Sequence, residues 1–400
     1  MIFRDLNLIV FLRKVAIFLI YTFPFIPLFN IGSKVIQIEM LVFFLVLVAF
    51  IIELSKVNLK YLSKNNGPLI FVLWIFSLLT VISLFYTSDV ILAQLQDLSY
   101  WILSLSPLIL IKGKFNGNSP YDYVRCIMLS SIVGSIIVIA IKISSDTILR
   151  STGFMSSANL AGALFALTCI ISLGYYLEFK SKLFLSTFVI NIVAIFATGS
   201  RESLLTVIIS ILIIGLLLLY NSRKHVIRWI IVLTTLIISS IFLLNSLFTD
   251  ILHRYLVTLT SVFTGSESEM NLAFSDRLIL WEELIDRLVE NPITPLGFQG
   301  LSVTGTFGLY AHNMFLQALV IGGVIGLIAF LMLLVIIYKY CIKNYKKQPS
   351  PVSASILALI IGYSLTGMVS DHFLNFFTWN FVMFTVLKQQ VESLLTKNGV

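Results

Sequence analysis

Apolar runs alternate with short polar breaks along almost the whole chain. A helix of roughly 20 apolar residues crosses the hydrocarbon core of a bilayer. Twelve stretches approach that length, over about 13–29, 35–54, 68–86, 91–111, 124–143, 158–178, 183–198, 203–220, 229–248, 313–338, 352–370 and 373–388. The fourth, with Gln94, Gln96 and Asp97, is the least apolar, and the seventh is short. The alternation fails only over 249–311, a long polar segment with eight acidic residues and three arginines. Inside it, residues 275–291 return to helical spacing. Leu278, Trp281, Leu284, Ile285 and Leu288 form one stripe, and Glu282, Glu283, Asp286 and Glu290 form the opposite face. Ser275 is the candidate N-cap, and Asn291-Pro292 ends the helix. This spacing predicts an amphipathic helix that lies along the membrane surface or caps the bundle. Arg277 sits at the edge of its apolar stripe and is expected to point toward the membrane body. The Gly- and Thr-rich stretch 297–308 reads as a loop.

The expected fold is therefore all-α. It is a polytopic integral membrane bundle of about 12 transmembrane helices, one membrane domain over 1–400, with one large extracytoplasmic loop over 249–311. Composition supports this class. Hydrophobic residues make up 58% and charged residues 12%, where a soluble domain carries about 25% charged. A net charge of +8 raises the question of nucleic acid. The Lys and Arg lie in short loops between apolar runs, which marks membrane topology and not a nucleic-acid surface. With the N-terminus inside, the inner segments hold twenty basic residues and the outer ones six: Lys34, Arg150, Arg201, Arg254, Arg277 and Arg287. That asymmetry puts both termini in the cytoplasm and 249–311 outside a cytoplasmic membrane. Arg13 and Lys14 precede the first run, but no small-residue cleavage site follows it, so it reads as a retained span. Cys126, Cys169 and Cys341 share no outer loop and form no metal-type spacing.

Candidate chemistry gathers on the outer side. Arg201 follows Thr198-Gly199-Ser200 between two spans, Arg277 opens the amphipathic helix, and His312 begins span ten. Cations near a bilayer on the side that topology disfavours usually have a function. An arginine fork suits phosphate or pyrophosphate; taken alone, Arg201 also reads as an interfacial anchor and Arg277 as a cap-proximal surface arginine paired with Asp276. His312 titrates near neutral pH, which suits a general base, and a lone histidine at a helix start is more often a hydrogen-bonded interface residue. Asn313 could bind a sugar hydroxyl or orient the imidazole. Arg150, just before Asn159 at the mouth of span six, is a further polar candidate, and Asp371-His372 is a weaker acid/imidazole pair. Glu202 beside Arg201 could neutralise it. There is no HExxH, Walker loop or GxSxG, and no Asp-x-Asp occurs anywhere. The expected chemistry uses no metal and no cofactor. Ionisable residues within the spans are few (Glu39, Glu53, Asp97 and Lys142), and no inverted repeat is visible, so a transporter or flippase reading has little support.

Four motifs in one order resemble a known group. They are Thr198-Gly199-Ser200-Arg201 before an apolar helix, and Arg277-x-x-x-Trp281 running into Asn291-Pro292. Then come Leu296-Gly297-Phe298, and His312-Asn313-x-Phe315-Leu316 leading to Gly322-Gly323. Together they resemble the O-antigen ligase and O-antigen polymerase superfamily, best over about 150–335. The resemblance implies a glycosyltransferase that takes glycan from an undecaprenyl-pyrophosphate carrier on the outer face of the bacterial cytoplasmic membrane. Polymerisation of O-antigen or capsule repeat units is the leading expectation. The alternatives are ligation of O-antigen to a lipid A core and transfer to protein. Arg201 and Arg277 would hold the pyrophosphate, and His312 would act at the acceptor hydroxyl or help bind phosphate. Arg150, Asn159, Asn313 and Trp281 would help bind substrate. Membrane lipid, a flippase and a chain-length regulator are the partners implied. Two positions depart from the family pattern: Glu202 replaces a small residue, and Ala158-Asn159 replaces Pro-Asn.

Overall fold

The computed structural model describes residues 29–31, 34–36, 120–144, 150–152, 158–221, 277–290, 292–293 and 311–368, with a few isolated positions that include Leu79. Among the described residues, seven helices follow a two-stranded hairpin. They are α1 (Pro120–Ser144), α2 (Ala158–Phe179), α3 (Lys182–Thr198), α4 (Arg201–Asn221), α5 (Arg277–Glu290), α6 (Met314–Lys347) and α7 (Pro351–Thr366). Six of these coincide with spans read from hydropathy. The expected spans over 91–111, 229–248 and 373–388 lie outside the described residues, as do nearly all of 13–29, 35–54 and 68–86. Among the described residues, four helices are long and apolar enough to cross a membrane: α1, α2, α4 and α6. The apolar helices α3 and α7, with 17 and 16 residues, are shorter.

At the start of the chain the structure departs from the all-α expectation. Phe29–Ile31 (β1) pairs antiparallel with Lys34–Ile36 (β2), Phe29 opposite Ile36, where an irregular outer loop over 30–34 and a span from 35 were expected. The β-branched Ile31, Val35 and Ile36 favour extended backbone, which explains the difference.

Helix α2 is the centre of the bundle. Every residue from Ala161 to Tyr175 is buried, as expected of a helix that is apolar all round. It packs against α3, α7 and α4, while α1 packs mainly on α3 and α7 on α4. Small side chains allow this close approach. A Cβ on Gly162 would stand 2.6 Å from Cβ of Ser200, so α2 can pass the α3–α4 turn only as glycine. The peripheral helices keep an exposed apolar face: Leu205, Ile208, Leu212 and Leu216 on α4, and Ile325, Ile328, Met332 and Val335 on α6. Such stripes fit contact with lipid.

Polar groups inside the bundle are paired across helices. Asn191 on α3 accepts from Ser131 (2.9 Å) and Ser135 (2.6 Å) on α1 and donates to Thr168 (2.8 Å) on α2. Thr206 on α4 bonds Thr366 on α7 at 2.7 Å, and the Tyr363 hydroxyl donates to the carbonyl of Ala163.

Helix α6 is broken. Gly322 (φ −132°, ψ 15°) and Gly323 (φ 60°, ψ −161°) leave helical geometry. The turns before the break fold back, so that a Cβ on Gly326 would meet the Ala318 carbonyl at 2.7 Å. In a straight helix, residues eight apart are separated by about 12 Å. Span ten is thus not one rod over 313–338. A first piece, 314–321, lies against the second, 324–347, which at roughly 36 Å is long enough to cross a bilayer alone. The chain leaving α5 docks into this break. Val324 N–H donates to the Pro292 carbonyl at 3.0 Å, and a Cβ on Gly323 would sit 2.6 Å from the Ile293 carbonyl oxygen.

Helix α5 begins at Arg277, two residues later than the stretch 275–291 suggests. Its buried face is also rotated from the predicted stripe. Leu280, Leu284 and Leu288 pack on Ala311 and Val320, while Ile285 is exposed. The partner surface decides this register: α5 lies alongside the first piece of α6. Helix α7 ends at Thr366, earlier than 370, and the Gly367 carbonyl there accepts from Met314 N–H at 2.8 Å instead of continuing the helix.

Candidate functional site

One end of the bundle collects the starts of α2, α4, α5 and α6 and the end of α3. The α3–α4 turn is tight. Gly199 takes the left-handed conformation (φ 60°) and donates its N–H to Phe196 O at 2.9 Å, closing α3. Thr198 Oγ1 donates to Ile195 O, and the Ser200 carbonyl accepts from Leu204 N–H to open α4. Arg201 and Glu202 therefore occupy the first turn of α4, both half-buried. The positive end of a helix favours Glu202 and disfavours Arg201.

Glu202 does not merely neighbour Arg201. Its Oε1 lies 2.5 Å from Nη1 of Arg277, at the first position of α5. Two segments 75 positions apart in the chain (277 − 202) are thereby joined by an ion pair. His312, just ahead of α6, lies within the field of both groups. Burial holds its imidazole below the ordinary histidine pKa, the Arg277 charge adds to that depression, and Glu202 opposes it. The ring is thus mainly neutral near pH 7, the form that can accept a proton.

His312 also has φ 49°, a left-handed backbone uncommon for a residue with a side chain. Its neighbours hold it there. Ala311 is fully buried, its carbonyl accepting from Trp281 Nε1 at 2.7 Å and its N–H donating to Gln317 Oε1 at 2.8 Å. Asn313 caps α6, its Oδ1 accepting from Phe315 N–H (2.9 Å) and Leu316 N–H (3.1 Å).

The remaining sequence candidates occupy the same end with roles in the frame. Arg150 Nε donates to Thr198 O at 3.1 Å, and its Nη2 donates to Asn159 Oδ1. It caps the α3 C-terminus and ties it to the start of α2. The bonds of Trp281 and Asn313 likewise go to backbone. Asp371-His372 lies outside the described residues, as do Arg254 and 294–310. Gln317 carries no flag in the sequence beyond being an amide in an apolar run. It is fully buried, and its Nε2 finds no acceptor among the described residues. No cluster of three metal-type ligands occurs among the described residues.

No curated protein matches the chain. A family model does. The apolar helices among the described residues fit a membrane protein. Residues 186–331, a span that contains Arg201, Glu202, Arg277, His312 and the α6 break, match the O-antigen ligase family, and this segment carries the chain's resemblance to the O-antigen ligase and polymerase superfamily.

Proposed function

We propose that the chain polymerises undecaprenyl-pyrophosphate-linked repeat units of a surface polysaccharide, O-antigen or capsule, on the outer face of the cytoplasmic membrane. The observation that carries this reading is the Arg277–Glu202 pair beside a neutral His312, inside the segment similar to O-antigen ligase. In the reaction, an acceptor hydroxyl attacks the anomeric carbon of the carrier-bound sugar. The bond from that carbon to phosphate oxygen breaks, and the electron pair leaves with undecaprenyl pyrophosphate. His312 takes the hydroxyl proton. A depressed pKa suits this role better than a cationic hold on phosphate, which needs imidazolium. Arg201 and Arg277 stabilise the negative charge that grows on the departing pyrophosphate. Arg150, Asn159, Trp281 and Asn313 hold the frame on which substrate binds. The donor reaches the site from the lipid, a flippase supplies it and a chain-length regulator limits the product.

A second reading, ligation of finished O-antigen to lipid A core, is favoured by the description of the matching family itself. The two differ in acceptor, and product analysis separates them. A strain lacking the gene is complemented with each variant, and glycans are resolved on gels. Loss of polymerase leaves single repeat units on the acceptor, and loss of ligase leaves full-length glycan on the carrier lipid. Arg201→Ala and Arg277→Ala should reduce product about 10²–10³-fold at matched membrane levels. EDTA should leave the ladder intact. Wild-type ladders from both arginine variants would remove the pyrophosphate role, and loss of product in EDTA would remove metal-free transfer.

A further inference from the structure

We infer that Gln317 and Trp281 are positioning residues, a two-sided backbone clamp on Ala311 that fixes His312 in its left-handed conformation and so aims the imidazole. The inference rests on the reading of His312 as the group that acts at the acceptor.

Three observations carry it. Ala311 is fully buried and held on both sides: Trp281 on α5 donates to its carbonyl, and Gln317 on α6 accepts from its N–H. On the other flank, the Asn313 side chain caps Phe315 and Leu316, and its carbonyl accepts from Gln317 N–H at 2.8 Å. The next residue, Met314, is tied to Gly367 O. His312 therefore sits between two pinned residues, at φ 49°, a conformation that relaxes unless its surroundings impose it. Finally, the amide of Gln317 can be oriented only one way. The Ala311 N–H requires an oxygen, so Oε1 faces Ala311, and Nε2 is left without an acceptor among the described residues.

The clamp also couples elements. Trp281 is one turn along α5 from Arg277, so the helix that presents the guanidinium also sets the backbone that presents the imidazole. Displacing a reacting group by about 1 Å can cost on the order of 10²-fold in rate.

The test uses full-length protein in nanodiscs. The substrate probe is lipid-pyrophosphate-linked repeat units extracted from a strain lacking the gene. Gln317→Leu and Trp281→Phe remove one arm each while keeping bulk. Both should lower kcat at least about ten-fold with KM within about two-fold, in line with the positional sensitivity above. Gln317→Glu, which when protonated still accepts from Ala311, should keep most of the rate. The acidic limb of the pH–rate profile should move upward in the two clamp variants, because a released imidazole gains water and leaves the field of Arg277. Tyr345→Phe, which loses a bond to Leu217 O at the opposite end of the bundle, should leave both kcat and the limb in place. His312→Ala separates the two levels of inference. An active His312→Ala overturns the reading of His312 itself. An inactive His312→Ala beside wild-type kcat and pH profile in Gln317→Leu and Trp281→Phe overturns the clamp alone. A raised KM with unchanged kcat in both Gln317 variants assigns the amide to substrate binding and also overturns the clamp.

Discussion

The Arg277–Glu202 pair allows a direct test of whether Arg277 holds phosphate or only holds the fold together. The two side chains are 13% and 12% exposed, close to the regime of a buried pair. Removing one partner of such a pair leaves an uncompensated charge and costs roughly 3 kcal/mol, toward the low end of the range because some solvent remains. Glu202→Gln and Arg277→Gln should therefore destabilise the detergent-solubilised protein by similar amounts. The double variant places two neutral amides in contact and should be no less stable than either single variant, which corresponds to a coupling of about 3 kcal/mol. Activity should not follow stability. The Glu202→Gln protein keeps both arginines and should retain a ladder, shortened by less than about ten-fold in rate, against the 10²–10³-fold expected when a charge-stabilising donor is lost. The double variant should remain as inactive as Arg277→Gln. Thermal unfolding and glycan gels on the same four proteins give both quantities. A double variant that regains the wild-type ladder would refute the reasoning, because Arg277 would then serve only as a brace for α4 and α5.

Gly323→Ala should be severe. The backbone at φ 60°, ψ −161° is essentially open only to glycine, and the new Cβ would meet the Ile293 carbonyl at 2.6 Å. Strain of about 1–3 kcal/mol plus a weakened Val324–Pro292 bond should appear as a lower unfolding temperature and faster proteolysis at Ile293. Asn191→Leu removes three interhelical bonds worth about 0.6 kcal/mol each in membranes. It should lower unfolding temperature while leaving the ladder intact at permissive temperature. Wild-type activity should persist as pH falls through the ordinary histidine range near 6.5 and decline only at lower pH, because His312 is depressed. Its contribution to stability carries the same sign, full above about pH 6.5 and lost as pH falls toward the folded-state value. Glu202→Gln removes a charge that raises the His312 pKa and should move the acidic limb lower still.

The helices of the bundle were legible in the sequence for a simple reason. Spans such as α2 and α4 are apolar along their whole length, so their ends fall where the first polar residues appear. The break in α6 was not legible. The Gly322-Gly323 pair is visible, but glycine is common in membrane helices, and only the docking of Pro292 and Ile293 into the gap turns the pair into a discontinuity. The face of α5 failed by one register step. Leu280 and Ile285 flank the same stripe, and contact with Val320 and Ala311 buries the first and exposes the second. At the site, the three charged or imidazole residues stood out because each is misplaced by the logic of membrane topology. Glu202 read as a local neutraliser of Arg201, since nothing local ties it to a residue so far along the chain as Arg277. Gln317 and Trp281 act through backbone groups of Ala311, and side-chain patterns carry no record of that.

The docking of both Ile293 and Ala311 against one short piece of α6 bears on how such a chain can diversify. The intervening stretch, 294–310, leaves and rejoins the same scaffold. Whatever its path, its endpoints are set by Gly323 at one side and Gln317 at the other. For a closed loop anchored in this way, doubling its length costs only about 0.6 kcal/mol in closure entropy. Insertions or replacements there need not disturb Arg201, Arg277 or His312, so the length of this stretch can vary while those three side chains keep their places.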